Sequence, residues 1–226
     1  MSDQHSPHSF DDHPLILVGN GSCEPGQLAA APPGYLVAVD GGLRHCFAAG
    51  LTPYAVIGDM DSADLSGLKA IHPDVAVHEI SDQDTTDLEK ALMMFSAPVC
   101  LAYGFLGLRV DHMLATLSVL ARYADTHNLI LVGQHDLVHV TTRAFAMSLC
   151  AGARLSVWPV GRVQFANSSG LVWPLDGLTL SPDGQVATSN RMQNDQLTLS
   201  PQHGNKGAYA VCCDPEFLSE MLAAVC

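Results

Sequence analysis

The chain carries two groups of acidic side chains whose spacing is suited to binding a hard divalent cation. Asp59 and Asp61 follow Gly58 in the segment IGDMDS, and Asp82, Asp84 and Asp87 come one helical pattern and one strand pattern later. Side chains at i and i+2 of an extended chain point to the same side, so Asp59 and Asp61 can reach one cation. Carboxylate oxygens suit Mg²⁺, which commonly binds together with a polyphosphate. The pattern therefore predicts a Mg-nucleotide site.

Ordinary turn and capping chemistry also explains part of these two groups. A Gly-Asp-x-Asp-Ser loop suits a turn that leads into a helix capped at Ser62. Thr86 and Glu89 form a capping-box pattern, with Asp87 in the first helical turn. Capping does not explain Asp82 and Asp84, because crowded carboxylates repel one another unless cations bind to them. Lys90, one turn beyond Thr86, lies on the same helix face and can reach a phosphate.

A third candidate is the segment YGFLGLRVDH. Gly104 and Gly107 follow an apolar run, and Arg109 and Asp111 stand where the next helical pattern begins. Flexible backbone before a helix N-terminus can hold a phosphate, and the Arg109 guanidinium adds a fork of donors. The alternative is a plain strand-to-helix loop in which Asp111 caps the helix. The GNGS segment at 19–22 is a weaker candidate of the same kind.

The elements that must position these residues alternate between apolar runs and amphipathic segments. Apolar runs of strand length occupy residues 15–19, 35–40, 54–59, 75–80, 98–104 and 129–133. Helical patterns occupy residues 42–49, 63–71, 86–95 and 111–123. Strands without a polar face imply a mostly parallel sheet covered on both sides. Ligands bind beyond the carboxyl ends of such strands, which is where Asp40, Asp59 and Gly104 fall.

The pattern changes after about Gln134. The rest of the chain consists of short β-rich segments separated by Gly, Pro, Asn and Asp, which indicates an antiparallel sandwich or barrel. The predicted fold class is α/β, with an N-terminal, mostly parallel, Rossmann-like α/β domain followed by a C-terminal antiparallel β-sandwich domain. The predicted ranges are a disordered tail at 1–13, the α/β domain at 14–134 and the β-sandwich at 135–226.

Composition narrows the possible partners. The net charge is -13, from 10 basic and 23 acidic residues, and the basic residues are scattered. Such a chain repels a nucleic-acid backbone and an anionic membrane surface, so we expect neither as a partner. The seven cysteines are an odd number without a CxxC pair, which favours free thiols in a reducing compartment. No signal-peptide pattern and no apolar run of ~18 residues is present, so we expect a cytoplasmic protein.

Six short motifs occur in the order and spacing that thiamine pyrophosphokinases show. They are DGG at 40–42, GDMDS at 58–62, DQDTTDLEKAL at 82–92, GLRVDHMLA at 107–115, SGLVWPL at 169–175 and TSN at 188–190. The chain resembles that family from about residue 15 to residue 212. It departs from the family at Met60, where an aromatic residue is common, and at Leu108, where glycine is common.

The resemblance implies a homodimeric enzyme with its thiamine site at the dimer interface. Its reaction moves the pyrophosphoryl group of ATP to the hydroxyl of thiamine and releases AMP. The matching motifs imply Mg²⁺ ligands at Asp59, Asp61 and Asp87. They imply ATP contacts at Asp40, Gln83, Thr86, Lys90, Arg109 and Asp111. They imply a catalytic set of Asp59, Asp61, Asp87, Lys90 and Arg109. They imply thiamine contacts at Trp173, Ser189 and Asn190, where an indole face suits a flat aromatic cation.

Two other functions share much of this pattern. One is a pyrophosphokinase with a different acceptor, such as a hydroxymethylpterin. The other is a non-catalytic sensor of nucleotides or thiamine compounds. Trp173 and the TSN segment favour thiamine as the acceptor, and the presence of every acidic position expected for the metal favours an enzyme.

Overall fold

The computed structural model describes residues 8–59, 65–80, 82 and 84–226. The chain divides into two compact units. The first unit contains residues 1–116 and 132–134, and the second contains residues 117–131 and 135–226. Helices and parallel strands in the first unit, with antiparallel sheets in the second, confirm the predicted mixed α/β class.

A parallel sheet forms the centre of the first unit. The strands of this unit are β1 (His8–Ser9), β2 (Leu15–Val18), β3 (Tyr35–Val39), β4 (Ala55–Gly58), β5 (Ala76–Glu79), β6 (Phe95–Ser96) and β7 (Cys100–Tyr103). β2 pairs in parallel with β7 and β3, and β4 pairs in parallel with β3 and β5. The order is therefore β7-β2-β3-β4-β5. Every residue of β2, β4 and β7 is buried, as their unbroken apolar sequences predict.

Helices follow the strands much as the sequence pattern predicts. They are α1 (Pro25–Ala29), α2 (Leu43–Ala48), α3 (Leu65–Ile71), α4 (Asp87–Met94) and α5 (Val110–Tyr123), which extends into the second unit. α1, a helix of five residues with proline in its first turn, was not predicted from the sequence. Asp40, Asp59 and Gly104 each directly follow the last residue of a parallel strand, as predicted. No helix in the described ranges has the length and apolar character needed to span a bilayer.

Residues 8–13 differ from the disordered tail predicted for residues 1–13. β1 pairs in parallel with β6, and Phe10 is only 7% exposed. The Phe10 ring stacks on Tyr35 with 3.9 Å between ring centroids. Burial of this aromatic ring offsets the entropy lost when the segment is ordered. Residues 1–7 lie outside the described part of the chain.

Antiparallel strands dominate the second unit. They are β8 (Leu129–Val132), β9 (Leu137–Thr141), β10 (Phe145–Ser148), β11 (Arg154–Pro159), β12 (Val163–Ser169), β13 (Thr179–Leu180), β14 (Ala187–Arg191), β15 (Gln196–Pro201) and β16 (Tyr209–Cys213), with α6 (Leu218–Val225) after them. One antiparallel set runs β14-β11-β16-β9, and another runs β10-β15-β12-β13. Phe165 in the second set meets Tyr209 in the first edge-on, with 5.1 Å between ring centroids.

Residues 117–131 belong with the C-terminal unit, whereas the sequence analysis placed them in the α/β domain. Hydrogen bonds within the second unit explain the difference. The Arg143 guanidinium donates to the Asp125 carbonyl at 2.7 Å, and His139 Nδ1 lies 3.0 Å from the Leu129 carbonyl oxygen. An apolar strand pattern such as residues 129–133 does not reveal which strands it will join.

Candidate active site

A cleft of about 600 Å³ lies at the carboxyl ends of the parallel strands in the first unit. Six residues predicted from the sequence line it: Asp40, Asp59, Thr86, Asp87, Lys90 and Arg109. This is the edge of a parallel sheet where ligands bind. Two further predicted residues, Asp61 and Gln83, lie outside the described residues, as do Met60 and Ser62.

The ends of β3 and β4 approach each other closely at the floor of the cleft. Gly58 has a φ of 154°, and a Cβ added there would lie 3.0 Å from the Cβ of Asp40. Glycine before Asp59 is therefore required by the neighbouring strand end and by its backbone conformation. This approach brings the segments that carry Asp40 and Asp59 to one side of the cleft.

The first turn of α4 is fixed by the predicted capping box. Thr86 Oγ1 accepts from the Glu89 amide at 3.3 Å, and the Glu89 carboxylate accepts from the Thr86 amide at 3.4 Å. Capping therefore explains Thr86 and Glu89 without a ligand. The cap also sets the direction of the first turn, from which Asp87 and Lys90 reach the cleft.

Asp82 has a local role that the sequence analysis did not find. Its carboxylate accepts from the Asp84 amide at 3.0 Å and from the Thr85 hydroxyl at 2.6 Å, which closes a turn ahead of α4. The hydrogen bond from Thr85, followed by that from the Asp84 amide, lowers the pKa of Asp82. Asp82 thus adds an ionised carboxylate to the cleft wall.

The two glycine-containing loops of the cleft are hydrogen-bonded to each other. The amides of Gly19, Gly21 and Ser22 donate to the carbonyls of Tyr103, Gly104 and Leu106, at 2.8, 2.6 and 3.0 Å. A Cβ added at Gly21 would lie 2.5 Å from the Gly104 carbonyl oxygen. Close backbone approach therefore explains this glycine without a phosphate.

Arg109 and Asp111 form a two-pronged ion pair at the start of α5. Nε and Nη2 of Arg109 donate to the two carboxylate oxygens of Asp111 at 3.1 and 2.5 Å. These hydrogen bonds lower the pKa of Asp111 to about 2. Asp111 is not the N-cap of α5, because the helix begins one residue earlier, at Val110. Arg109 lines the cleft, and Asp111 orients it from outside the lining.

Backbone strain coincides with the predicted sites. Among the described residues, three that are not glycine have positive φ: Asp40 at 47°, Leu108 at 57° and Ser189 at 57°. Asp40 and Ser189 were predicted site residues, and Leu108 is where the chain departs from the family pattern. Left-handed conformations are unfavourable for such residues and tend to persist at functional sites. Leu108 also lines the cleft, with 71% of its surface exposed.

The three predicted thiamine residues come together in the second unit. The buried Asn190 amide group accepts from the Trp173 amide at 3.2 Å and donates to the Trp173 carbonyl at 2.7 Å. The Ser189 amide donates to the hydroxyl of Ser156 at 3.0 Å. Trp173 is held by its backbone while 57% of its surface stays exposed. This geometry leaves the indole ring exposed on a fixed backbone.

Comparison with known proteins finds a similarity to one family. The family model described as thiamin pyrophosphokinase, catalytic domain, matches residues 30–132, a range that contains most of the cleft. Over this range the chain is similar to thiamin pyrophosphokinases. The match ends before Trp173, Ser189 and Asn190, so it does not extend to the predicted thiamine residues.

Curated relatives carry the same family name. Thiamine pyrophosphokinase 1 of Arabidopsis thaliana is 29% identical over 164 residues, which cover 65% of this chain and 61% of the relative. Thiamine pyrophosphokinase 3 of Oryza sativa subsp. japonica is 26% identical over 166 residues, covering 66% of this chain and 61% of the relative. The chain thus spans less than two thirds of the length of these relatives.

Two solved structures share the thiamine pyrophosphokinase fold. The thiamin pyrophosphokinase from Geobacillus thermodenitrificans has a TM-score of 0.75 and 24% identity, covering 88% of this chain and 96% of the other. The one from Candida albicans has a TM-score of 0.77 and 12% identity, covering 92% of this chain and 93% of the other. At these sequence identities, the structural similarity is evidence for the fold alone.

Arg44 lines the cleft but was missed in the sequence. The other cleft residues Asn20, Phe105 and His112 lie in the GNGS and YGFLGLRVDH segments, which were predicted as candidates. Arg44 lies in the first turn of the helix that follows β3. The rule that ligands bind at strand carboxyl ends could have found it if the search had included the next helical turn.

Proposed function

We propose that this chain is a Mg-dependent thiamine pyrophosphokinase, or thiamine diphosphokinase. It transfers pyrophosphate from ATP to the hydroxyl of thiamine and yields thiamine diphosphate and AMP. The observation that carries the proposal is the cleft, where Asp40, Asp59 and Asp87 lie with Lys90 and Arg109 at strand ends within the range that matches the thiamin pyrophosphokinase catalytic-domain model. We propose that the α/β unit binds ATP and that the C-terminal β-sandwich unit binds thiamine.

The donor set of the cleft fits Mg²⁺. Within the described residues, no group of three or more His, Cys, Asp or Glu converges closely enough to hold a metal alone. Mg²⁺ in nucleotide sites commonly uses one or two carboxylates, with phosphates and waters as its other ligands, so a complete protein cage is not required. Asp59, Asp61 and Asp87 are the proposed ligands. When bound, Mg²⁺ offsets the charge of the phosphates and orients them.

The basic residues of the cleft act on the donor. Lys90 and Arg109 lie where they can stabilise negative charge on the transferring group. Asp111 holds the Arg109 guanidinium in a fixed plane through its two hydrogen bonds. Asp40, Gln83 and Thr86 complete the proposed nucleotide contacts.

The acceptor site uses the exposed indole of Trp173. Thiamine carries a flat cationic ring, which is attracted to an indole face. Asn190 fixes the backbone of Trp173, and Ser189 and Asn190 are the proposed polar contacts of thiamine.

The chemical step is an in-line displacement at the β-phosphorus of ATP. The thiamine hydroxyl oxygen forms a bond to the β-phosphorus, and the bond from that phosphorus to the oxygen bridging the α and β phosphates breaks. AMP leaves with the bridging oxygen. Asp59 or Asp87 accepts the hydroxyl proton late in the step, because both are carboxylates of the cleft.

The direct test is to incubate the protein with Mg²⁺, ATP and thiamine and to quantify AMP and thiamine diphosphate. We expect equal amounts of both products, and no product in EDTA. Asp59→Asn should abolish most turnover while leaving the fold intact by circular dichroism. Near-normal turnover of Asp59→Asn would refute the proposed metal site. ATP consumption without thiamine diphosphate, or product formation only with a hydroxymethylpterin, would refute the proposed reaction.

We also propose a homodimer whose thiamine site is shared between subunits. Light scattering should give twice the chain mass. Mixing inactive Asp59→Asn with inactive Trp173→Ala protein should restore activity if each site combines residues of two chains. Activity that stays absent in mixed dimers would refute a shared site. The cytoplasmic location stays a prediction from the sequence.

A further inference from the structure

Arg44 lines the cleft, but it belongs to none of the sequence motifs from which the site was predicted. It lies in the first turn of α2, one helical turn after Asp40. Its Nη2 donates to the Asn20 carbonyl at 3.0 Å, and its side chain is exposed to the cleft. The side chain therefore stands between the strand end that carries Asp40 and the loop at residues 19–22.

Arg44 differs from the other basic side chains of the cleft in its partners. Lys90 is paired with Asp87 at 2.9 Å, and the Arg109 guanidinium is held by both oxygens of Asp111. Across the part of the chain that the structure describes, Arg44 forms no ion pair, and the hydrogen bond found for it goes to a neutral carbonyl. A guanidinium has five N–H donors, so Arg44 retains donors for a further acceptor.

Most amides of the neighbouring loop at 19–22 are already used within the protein. Gly19, Gly21 and Ser22 donate their N–H groups to carbonyls of the segment 103–106. A phosphate on this side of the cleft therefore depends largely on side-chain donors. Acidic side chains line the remainder of the cleft at Asp40, Asp59, Asp82 and Asp87, which makes a bare anion unfavourable without such a cation.

A purely structural role for Arg44 is already filled by its neighbour. His45 Nε2 lies 2.9 Å from the Gly21 carbonyl oxygen and so ties α2 to the same loop. Burial lowers the pKa of His45, which favours the neutral ring as donor in this tie. The hydrogen bond from Arg44 to Asn20 is thus a second link between α2 and the loop.

We infer that Arg44 binds a phosphate oxygen of the donor nucleotide, beside the loop at residues 19–22. This inference rests on the proposed function for the nature of the ligand. Arg44 is then a phosphate-recognition residue that the motif set does not contain. Its guanidinium suits phosphate oxygens better than a lysine ammonium does, because its donors form a rigid fork.

The test measures binding without turnover. Isothermal titration with Mg²⁺ and α,β-methylene-ATP compares the wild-type protein with Arg44→Gln and Arg44→Lys. We expect Arg44→Gln to weaken binding about tenfold, the scale of one charge-assisted hydrogen bond, and Arg44→Lys to weaken it less. Inorganic triphosphate should lose affinity in parallel, whereas adenosine should bind all the proteins equally.

The matched control is Arg143→Gln. Arg143 is also an exposed arginine that donates to a backbone carbonyl, but it lies in the second unit. Arg143→Gln should therefore bind the nucleotide analogue as tightly as the wild type does. Equal affinity of wild type and Arg44→Gln for the analogue would overturn the inference, as would an equal loss for adenosine. Failure of the wild type to bind the analogue would also overturn it. The wild type could also bind the analogue but form no thiamine diphosphate. In that case, weaker binding of the analogue by Arg44→Gln, with adenosine binding unchanged, would support the inference and refute the proposed reaction.

Discussion

Lys90 donates to Asp87 at 2.9 Å across one turn of α4, and its side chain is only 4% exposed, whereas that of Asp87 is 35% exposed. A buried ammonium needs a charged or hydrogen-bonding partner, because burial without one is strongly unfavourable. Asp87 is also a proposed Mg²⁺ ligand. One carboxylate therefore has two tasks, to stabilise Lys90 within the fold and to bind the metal.

Asp87→Asn should lower the free energy of unfolding by about 1–3 kcal/mol, because it leaves the buried Lys90 charge without a charged partner. Chemical denaturation measures the loss. Lys90→Met removes the buried charge and retains most of the side-chain volume. In the Lys90→Met background, Asp87→Asn should cost clearly less. Equal costs in both backgrounds would show that the pair is not coupled.

Thr86→Ala should cost about 1 kcal/mol of stability through loss of the helix cap, and Thr86→Ser should cost little. Glu89→Gln serves as the control for the other half of the capping box, since it keeps an oxygen that can accept from the Thr86 amide. Thermal unfolding measures the stabilities, and titration with the nucleotide analogue measures binding. If Thr86 contacts ATP, Thr86→Ala should bind the nucleotide analogue more weakly than Glu89→Gln does. Equal binding by both would limit Thr86 to capping.

Leu108→Gly should leave stability unchanged or raise it by up to about 1 kcal/mol. Glycine relieves about 1–2 kcal/mol of left-handed strain at a φ of 57°, and greater freedom of the unfolded chain offsets part of that gain. Leu108→Ala removes the exposed side chain while keeping the Cβ strain, so it separates the two contributions. Val110→Gly, in the adjacent helical turn, should be destabilising by about 1 kcal/mol. A loss in Leu108→Gly as large as that in Val110→Gly would contradict strain at Leu108.

The pKa of Asp111 should return towards its ordinary value in Arg109→Gln. The hydrogen bonds from Arg109 lower this pKa from 3.8 to about 2. Because the folded-state pKa is the lower one, the stabilisation is fully present above the unfolded-state value and is lost as the pH falls from about 4 towards 2. Carboxyl NMR titration measures the pKa. Both side chains are exposed, so added salt should weaken the effect. An unchanged Asp111 pKa in Arg109→Gln would contradict this pairing.

Asn190→Asp should be destabilising by about 1–3 kcal/mol, because the donor to the Trp173 carbonyl becomes an acceptor in a buried position. Thermal unfolding measures the loss. In a Trp158→Phe background, Trp173 fluorescence should shift as the backbone hold on the indole is lost. KM for thiamine should rise more than KM for ATP. Equal increases in both KM values would contradict a role for Asn190 in positioning the acceptor site.

Local patterns in the sequence were sufficient for the elements near the cleft. The apolar runs predicted β2, β4 and β7 to within two residues at either end, because strands buried on both faces have no polar positions. The capping box at Thr86 depends on residues three apart, so it too was predictable. The strand-end rule then identified the edge of the sheet that holds Asp40 and Asp59.

Contacts between residues distant in sequence could not be predicted in the same way. The link between the loops at Gly21 and Gly104 arises because two strand ends are neighbours in the sheet, and no local pattern marks it. The packing of Phe10 on Tyr35 likewise requires β1 to lie beside β6.

The sequence by itself determined the class of fold, the family resemblance and the carboxylates of the cleft, because each depends on residue types at short, fixed spacings. Only the tertiary structure decided that Arg44 faces the cleft without a carboxylate partner among the described residues, and that Asn190 holds Trp173. It also decided which unit residues 117–131 join. These features depend on which strands become neighbours, and strand pairing is set by the packing of the whole unit.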